Sequence, residues 1–285
     1  MNRWRFVFEK RWFAYLGVAI VFAIACVLLS NWQLDRRGER EDEIARVAKN
    51  FDATPVQIDQ ALPSESAFNI NDRWLPVTMH GRYEEDRQIL VRNRPYDGSP
   101  GYEILTPLRL DNGKVFLVNR GWVPQGNNAE RPDHVPAPPS GEVTVVARLK
   151  ASEDTIRGRG APSGQLATVN LPEAETILKE RIYTGAYGLL DTEDPAPSEQ
   201  RPAAVKKPEP DEGPHLSYAF QWILFALMGF TFLGWAVREE YRRVNSDDPA
   251  EKVRAAKRAA KRASKLTDAD VEDAEVEDVR IHAER

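Results

Sequence analysis

Between Leu216 and Val237 the chain carries no charged residue. As a helix rising 1.5 Å per residue, such a run is about 33 Å long, enough to cross a bilayer core of about 30 Å. Gly213-Pro214 stands directly before it, a turn followed by a residue whose fixed φ suits a first helical position. His215 therefore sits at the mouth of a membrane helix, where it is either a ligand or an interfacial anchor.

A second uncharged apolar run, Trp12 to Leu29, follows Arg3, Arg5, Lys10 and Arg11. A signal peptide has similar flanks, but this run is longer than a usual signal core. Asn31-Trp32-Gln33-Leu34-Asp35-Arg36 follows it where a small-residue cleavage site would be needed. The run reads as an uncleaved transmembrane helix. Trp12 and Trp32 bracket it, and Trp235 and Tyr241 flank the exit of the second run, as interfacial aromatics do.

Charge sets the expected orientation. Basic residues precede the first span, and Arg238, Arg242 and Arg243 follow the second, so both termini are predicted to be cytoplasmic. Arg36, Arg37 and Arg40 weaken that bias but are outnumbered by neighbouring acids. The expected organisation is a cytoplasmic N-terminus (residues 1–11), a first transmembrane helix (12–30) and an extracytoplasmic β-rich domain (31–193). A Pro-rich linker (194–214), a second transmembrane helix (215–237) and a cytoplasmic charged tail (238–285) complete it. The fold class is thus membrane α plus an extracytoplasmic β-rich domain: two transmembrane helices flanking an antiparallel β (α+β) domain.

Within the central segment, Gly38 to Phe51 spaces Ile44, Val47 and Phe51 for a short amphipathic helix. After it the period changes. Residues 75–83, 87–92, 102–110, 114–119 and 142–150 are short runs rich in Val, Leu, Ile, Thr and Tyr. Asp97-Gly98, Asp111-Asn112-Gly113 and Ser140-Gly141 punctuate them as turns. One helix is predicted over residues 172–182, where Ala174, Ile177, Leu178 and Ile182 share a face, and a last strand over 187–190. Residues 194–213 are mostly Pro, Glu, Ala and Lys, the composition of a semi-extended linker. The tail divides into a basic, Ala-rich part (252–265) and an acidic part (268–278). It reads as a solvated segment, or as one whose basic part is drawn to anionic lipids.

Composition narrows the chemistry. A net charge of −5 argues against a nucleic-acid partner. Cys26 is the sole cysteine, which rules out an intrachain disulfide and a Cys-rich metal site. The sequence has no Gly-rich phosphate loop, no His-Glu-x-x-His and no nucleophile elbow, so no catalytic residue is assigned. Besides His215 the histidines are His80 in a strand, His134 in a Pro-rich loop and His282 in the tail. A zinc site from His80, His134 and His215 can be drawn, but no spacing supports it. Arg92-Asn93-Arg94 and Asn119-Arg120-Gly121-Trp122-Val123-Pro124 supply arginines that could clamp a carboxylate or propionate. They could equally pair with acids inside the domain, with Gly121 and Pro124 shaping a turn around a packed Trp122.

Several blocks occur together: Trp32-Gln33 with Arg36; Gly101-Tyr102 with Thr106-Pro107-Leu108; Val118-Asn119-Arg120-Gly121-Trp122-Val123-Pro124; and His215-Leu216 with Tyr218-Ala219 and Gln221-Trp222. With two helices around an outer β domain, they resemble the Surfeit-locus/Shy family of cytochrome oxidase assembly proteins. The likeness covers most of residues 12–237 and omits the linker and the tail. It implies a bacterial plasma-membrane protein that is no enzyme but an assembly factor, a chaperone of respiratory-chain biogenesis serving aa3-type cytochrome c oxidase. It would hold or deliver haem a to the catalytic subunit at the outer membrane face. The implied partners are the haem-copper oxidase catalytic subunit, haem a synthase and membrane lipids. His215 matches the position proposed as the haem a axial ligand, with Tyr218, Trp222 and Arg120 as further candidates and no metal beyond the haem iron.

The chemistry of His215 is compatible with that role. A helix N-terminus disfavours imidazolium, and neutral imidazole is the form that haem iron takes as an axial ligand. Tyr218, Ala219, Trp222, Ala226 and Gly229 continue the His215 face. Small residues there admit a flat porphyrin, or a helix packed through Gly17 or Ala23. A different class of function, a non-haem scaffold that stabilises an oxidase intermediate by protein contacts, fits the same sequence. A membrane-anchored hydrolase would need a base–nucleophile pair that the sequence does not display.

Overall fold

The computed structural model describes residues 4–127 and 130–263. The acidic tail segment and His282 lie outside the described residues. The chain forms two compact units, one comprising residues up to Arg37 and from Pro214 onward, the other Gly38–Gly213.

In the first unit, helix α1 (Lys10–Asn50) and helix α4 (His215–Val244) each contain a window long and apolar enough to cross a membrane. Many of their apolar side chains, among them Val21, Ile24, Leu28, Phe220, Leu224 and Leu227, face outward rather than into a protein core. Exposed apolar area of that extent needs a non-aqueous surround. The helices run antiparallel. Ser30 Oγ donates to the Ala219 carbonyl (3.1 Å), and at the far end Arg11 meets Glu240 at 2.8 Å. Between these ends a Cβ on Gly229 would come within 3.2 Å of Phe22, so the ring packs on the glycine. Gly17, the alternative partner, has nothing within 4 Å of its own Cβ position.

Helix α1 is longer than the sequence reading allowed. It runs unbroken for 41 residues, about 60 Å, absorbing both the expected connection and the expected short amphipathic helix. No proline interrupts residues 31–50 and most of them are strong helix formers, so nothing local ends the helix. Pro214 also differs slightly from expectation, since it precedes the helix proper and its carbonyl accepts from the Tyr218 amide (3.1 Å).

The second unit is built on one eight-stranded sheet. Its strands are β1 (Val56–Gln57), β2 (Pro76–Tyr83), β3 (Ile89–Tyr96), β4 (Ser99–Leu110), β5 (Val115–Pro124), β6 (Glu142–Ala151), β7 (Gln165–Leu166) and β8 (Ala186–Asp194). Pairing runs β2–β6–β8–β5–β4, and β4 returns to β2, so five strands close into a barrel. Closure depends on Gly81, whose Cβ would collide with the Arg109 backbone where β2 meets β4. Strand β3 flanks β4, with the two-residue Asp97-Gly98 connection at positive φ, as a type I′ hairpin demands. Of the five β ladders that close the barrel, only β5–β8 is parallel.

One core fills the barrel, from Val77, Met79, Leu108, Phe116, Val118, Val145 and Leu149. A second lies on the outer face of β3, β4, β5 and β8, where Val47 of α1, Trp74 and helix α3 (Leu171–Leu178) cover Val91, Leu105, Leu117 and Leu189. Strand β5 is consequently buried on both sides. Each such aliphatic side chain contributes about 1.5–3 kcal/mol on burial. Helix α3 begins with Asn170 capping the Glu173 amide (2.9 Å) and ends at Lys179 in the left-handed region (φ 52°). It stops short of the predicted end because Ile182 instead bridges to Val115.

Within residues 195–213, the stretch 201–207 is tied down. Ala203 exchanges backbone hydrogen bonds with Trp122 (2.8 and 2.9 Å), Arg201 bonds the Glu193 carbonyl (3.0 Å), and Lys206 and Lys207 pair with Asp97 and Asp52. The expected linker is a strap on the barrel.

Candidate functional site

His215 is the first residue of α4 and half-buried. Its Nδ1 lies 2.8 Å from Oε1 of Gln33, near the end of the apolar part of α1. An amide oxygen can only accept, so Nδ1 carries the proton in this bond. In the neutral ring the lone pair then belongs to Nε2, and among the described residues no hydrogen bond engages that atom. A histidine whose outer nitrogen is fixed by a hydrogen-bond acceptor is the usual arrangement for binding a metal through the other.

The antiparallel register places this pair. From Gln33 back to Arg11, and from His215 on to Glu240, about 33–37 Å of helix intervenes, close to the thickness of a bilayer core. The imidazole thus stands at one apolar boundary and the Arg11–Glu240 pair at the other. Ser30, one turn from Gln33, fixes the register by bonding the carbonyl of Ala219, one turn from His215.

The other candidates separate. Trp222 lies on the side of α4 facing α1 together with Ala219, half-buried and edge-on to Phe225 (ring centroids 5.7 Å apart). Tyr218 is 46 % exposed, at the edge of that face. Gly229 is occupied by Phe22 and, with Tyr15, Val18 and Phe232, lines an apolar groove of about 320 Å³. That groove begins about 21 Å along α4 from His215, so it belongs to a different depth.

Arg120 belongs to the second unit, and its side chain is fully enclosed. Its Nη atoms donate to the carbonyls of Pro136 (2.8 Å) and Ala137 (3.0 Å). Its Nε stands 3.8 Å from the equally enclosed Glu193, and its guanidinium lies 5.7 Å from the Tyr83 ring centre. Arg201 of the strap reaches the other Glu193 oxygen at 3.2 Å. Burial pushes Arg120 below its ordinary value, against the upward pull of Glu193, and burial also pushes Tyr83 well up. The two carbonyls take up both Nη atoms inside the barrel end, while Nε has the ion contact with Glu193 and no hydrogen bond. The neighbouring Gly121 has φ 127°, and a Cβ there would stand 2.5 Å from the Ala203 carbonyl oxygen, so the strap can lie on β5 only because residue 121 is glycine.

Arg94 pairs with Glu103 (3.1 Å) and Glu153 (2.7 Å). Its burial opposes the charge, but the two carboxylates outweigh it and the guanidinium is held above its ordinary value. Trp122 stacks on Tyr96, centroids 5.2 Å apart, and donates to the Arg94 carbonyl (2.8 Å). Beside it lies a cleft of about 620 Å³, lined in part by Pro124, His134, Glu199 and Pro202. His134 is paired with Glu199 there (2.8 Å), and none of the described lining residues is Ser, Thr or Cys.

His80 pairs with Asp111 (3.0 Å). With Glu142 it forms a group whose donor atoms lie close enough to share an ion, but all three are exposed and Arg82 holds Glu142 at 2.8 Å. His134 is not part of that group.

Gln33, Glu193 and Arg201 are the residues sequence reasoning gave no role. Gln33 could have been found from the antiparallel pairing of the two spans, which sets the polar residues just past one span opposite the residue that opens the other. Nothing local marks Glu193 or Arg201.

The family model described as the SURF1 family matches residues 20–227. An uncharacterised SURF1-like protein of Mycobacterium bovis is 30% identical over 248 residues, covering 85% of this chain and 89% of its own length. A SURF1-like protein of Monosiga brevicollis is 28% identical (73% and 80% covered), and one of Rickettsia bellii is 25% identical (73% and 83%). With two membrane-length helices, a closed β barrel between them in sequence and a family match over most of its length, the chain belongs to the SURF1 family.

Proposed function

We propose that the protein is an assembly factor for aa3-type cytochrome c oxidase that transiently holds haem a, as cargo, at the outer membrane face and passes it to the catalytic subunit. The observation that carries this reading is the Gln33–His215 hydrogen bond, which orients the ring at a membrane boundary with Nε2 available. Haem iron accepts one neutral imidazole nitrogen as an axial ligand. The boundary also suits a macrocycle whose body is apolar and whose propionates need water.

In this reading His215 is the ligand, Gln33 fixes its tautomer, and Trp222 and Tyr218 flank the ring on α4. Arg120 keeps the barrel end and its strap in place and is left out of the cargo site, because its guanidinium is already bonded. Both termini lie on the cytoplasmic side and the barrel outside. The protein performs no covalent chemistry; its partners are the oxidase catalytic subunit and haem a synthase.

The test is purification of the wild type and His215→Ala after co-expression with the haem a synthesis enzymes. The wild type is expected to carry a haem spectrum that the variant lacks. An identical spectrum and haem stoichiometry in both overturns the ligand assignment. A colourless wild type that still promotes oxidase assembly identifies a protein scaffold instead.

A further inference from the structure

Four residues separate helix α5 (Pro249–Ala263) from the end of α4, the last of them Asp248, whose Oδ1 accepts from the Ala250 amide (2.8 Å). Arg254, Lys257, Arg258 and Lys261 recur at i, i+3, i+4 and i+7 and form one face. Ala255, Ala256, Ala259 and Ala260 form the opposite one, with Lys252 at its head. The side chains from Lys252 to Lys261 are exposed. Glu251 is the single acid on the described helix and is engaged by Arg258 (2.5 Å) and Arg254 (3.6 Å). Six basic residues against one acid leave the helix strongly positive.

The connection fixes where this charge can be. Four extended residues reach at most about 14 Å, so α5 cannot leave the neighbourhood of the surface from which α4 emerges. The tether lets the basic residues come within a Debye length of that surface, and each one that does so against anionic lipid enriches the bound population by about fivefold. The four alanines of the opposite face are small, so none of them competes with the basic face by driving insertion into the bilayer.

We propose that α5 is a surface-lying helix whose Arg254–Lys261 face binds the headgroups of anionic lipids at the membrane boundary of α4. This rests on α4 spanning a membrane and is independent of haem. The occupant follows from charge complementarity and from the short tether.

The test uses the full chain in nanodiscs of phosphatidylcholine alone and of phosphatidylcholine with about 30 % phosphatidylglycerol. Amide hydrogen exchange is read over the peptide spanning α5. Exchange is expected to be at least tenfold slower in the anionic discs, and the slowing to vanish in about 0.5 M NaCl. The variant Arg254→Gln, Lys257→Gln, Lys261→Gln is expected to exchange at one rate in both. Equal exchange of the wild type in the two discs overturns the proposal, as does slowing that persists in the variant. Slow, salt-sensitive exchange in both kinds of disc also overturns it, because the partner is then the acidic stretch 268–278 of the same chain.

Discussion

His215 Nδ1 and Gln33 Oε1 meet at 2.8 Å across the two membrane-length helices. The bond joins residues 182 positions apart and decides which nitrogen of the imidazole is available.

Replacing Gln33 with leucine keeps the helix and removes the acceptor. An outer partner of a metal-binding histidine is worth about 10–100-fold in metal affinity. On the proposed haem reading, haem affinity of purified Gln33→Leu is therefore expected to fall by that factor on titration, while Gln33→Glu, which restores an acceptor, recovers most of it. Full retention in the leucine variant would remove Gln33 from the site.

Arg120→Met tests the enclosed charge network. It leaves Glu193 with Arg201 alone and frees the carbonyls of Pro136 and Ala137. Breaking one side of a buried pair costs about 3–5 kcal/mol. Thermal unfolding followed by tryptophan fluorescence should show the loss, and the double variant Arg120→Met, Glu193→Leu should recover part of it.

Gly121→Ala places a methyl group against the Ala203 carbonyl and asks an L residue to hold φ 127°. The strap is expected to lift from β5, exposing residues 195–213 to limited proteolysis that leaves the wild type intact. Gly113→Ala serves as a control, since its Cβ would meet open space although its φ is 80°.

Acid should loosen the barrel unit. Glu43 accepts from Trp74 Nε1 (2.8 Å) and from Arg46 and Arg73; burial opposes its charge, yet these donors hold it below its ordinary 4.5. Glu153 is likewise lowered, burial again being outweighed, here by Arg94 and the Val169 amide. A folded value below the unfolded one means the stabilisation is complete above about pH 4.5 and disappears as pH falls through the lowered values. Melting temperature measured between pH 7 and pH 3 should be level to about pH 5 and then drop. Glu43→Gln should lower the plateau and weaken the drop.

The strands show how far local pattern reaches. Residues 75–83, 102–110 and 142–150 alternate or run apolar between turn signals, and β2, β4 and β6 lie there. Two-residue strands such as β1 and β7 have no periodicity to read and exist only because β2 and β3 offer an edge. The strap was missed for the same reason. Its Pro, Glu and Lys content is that of a linker, and its order comes from Trp122, Glu193, Asp97 and Asp52, residues far away in the chain.

The sequence by itself determined the two membrane-length helices, the β-rich segment between them and the histidine at the mouth of α4, because hydropathy, period and capping are local properties. The tertiary structure decided that Gln33 faces His215, that Arg120 is enclosed with Glu193, and that five strands close into a barrel. Those outcomes depend on register between segments distant in the chain, and register is set by which side chains fit together in three dimensions.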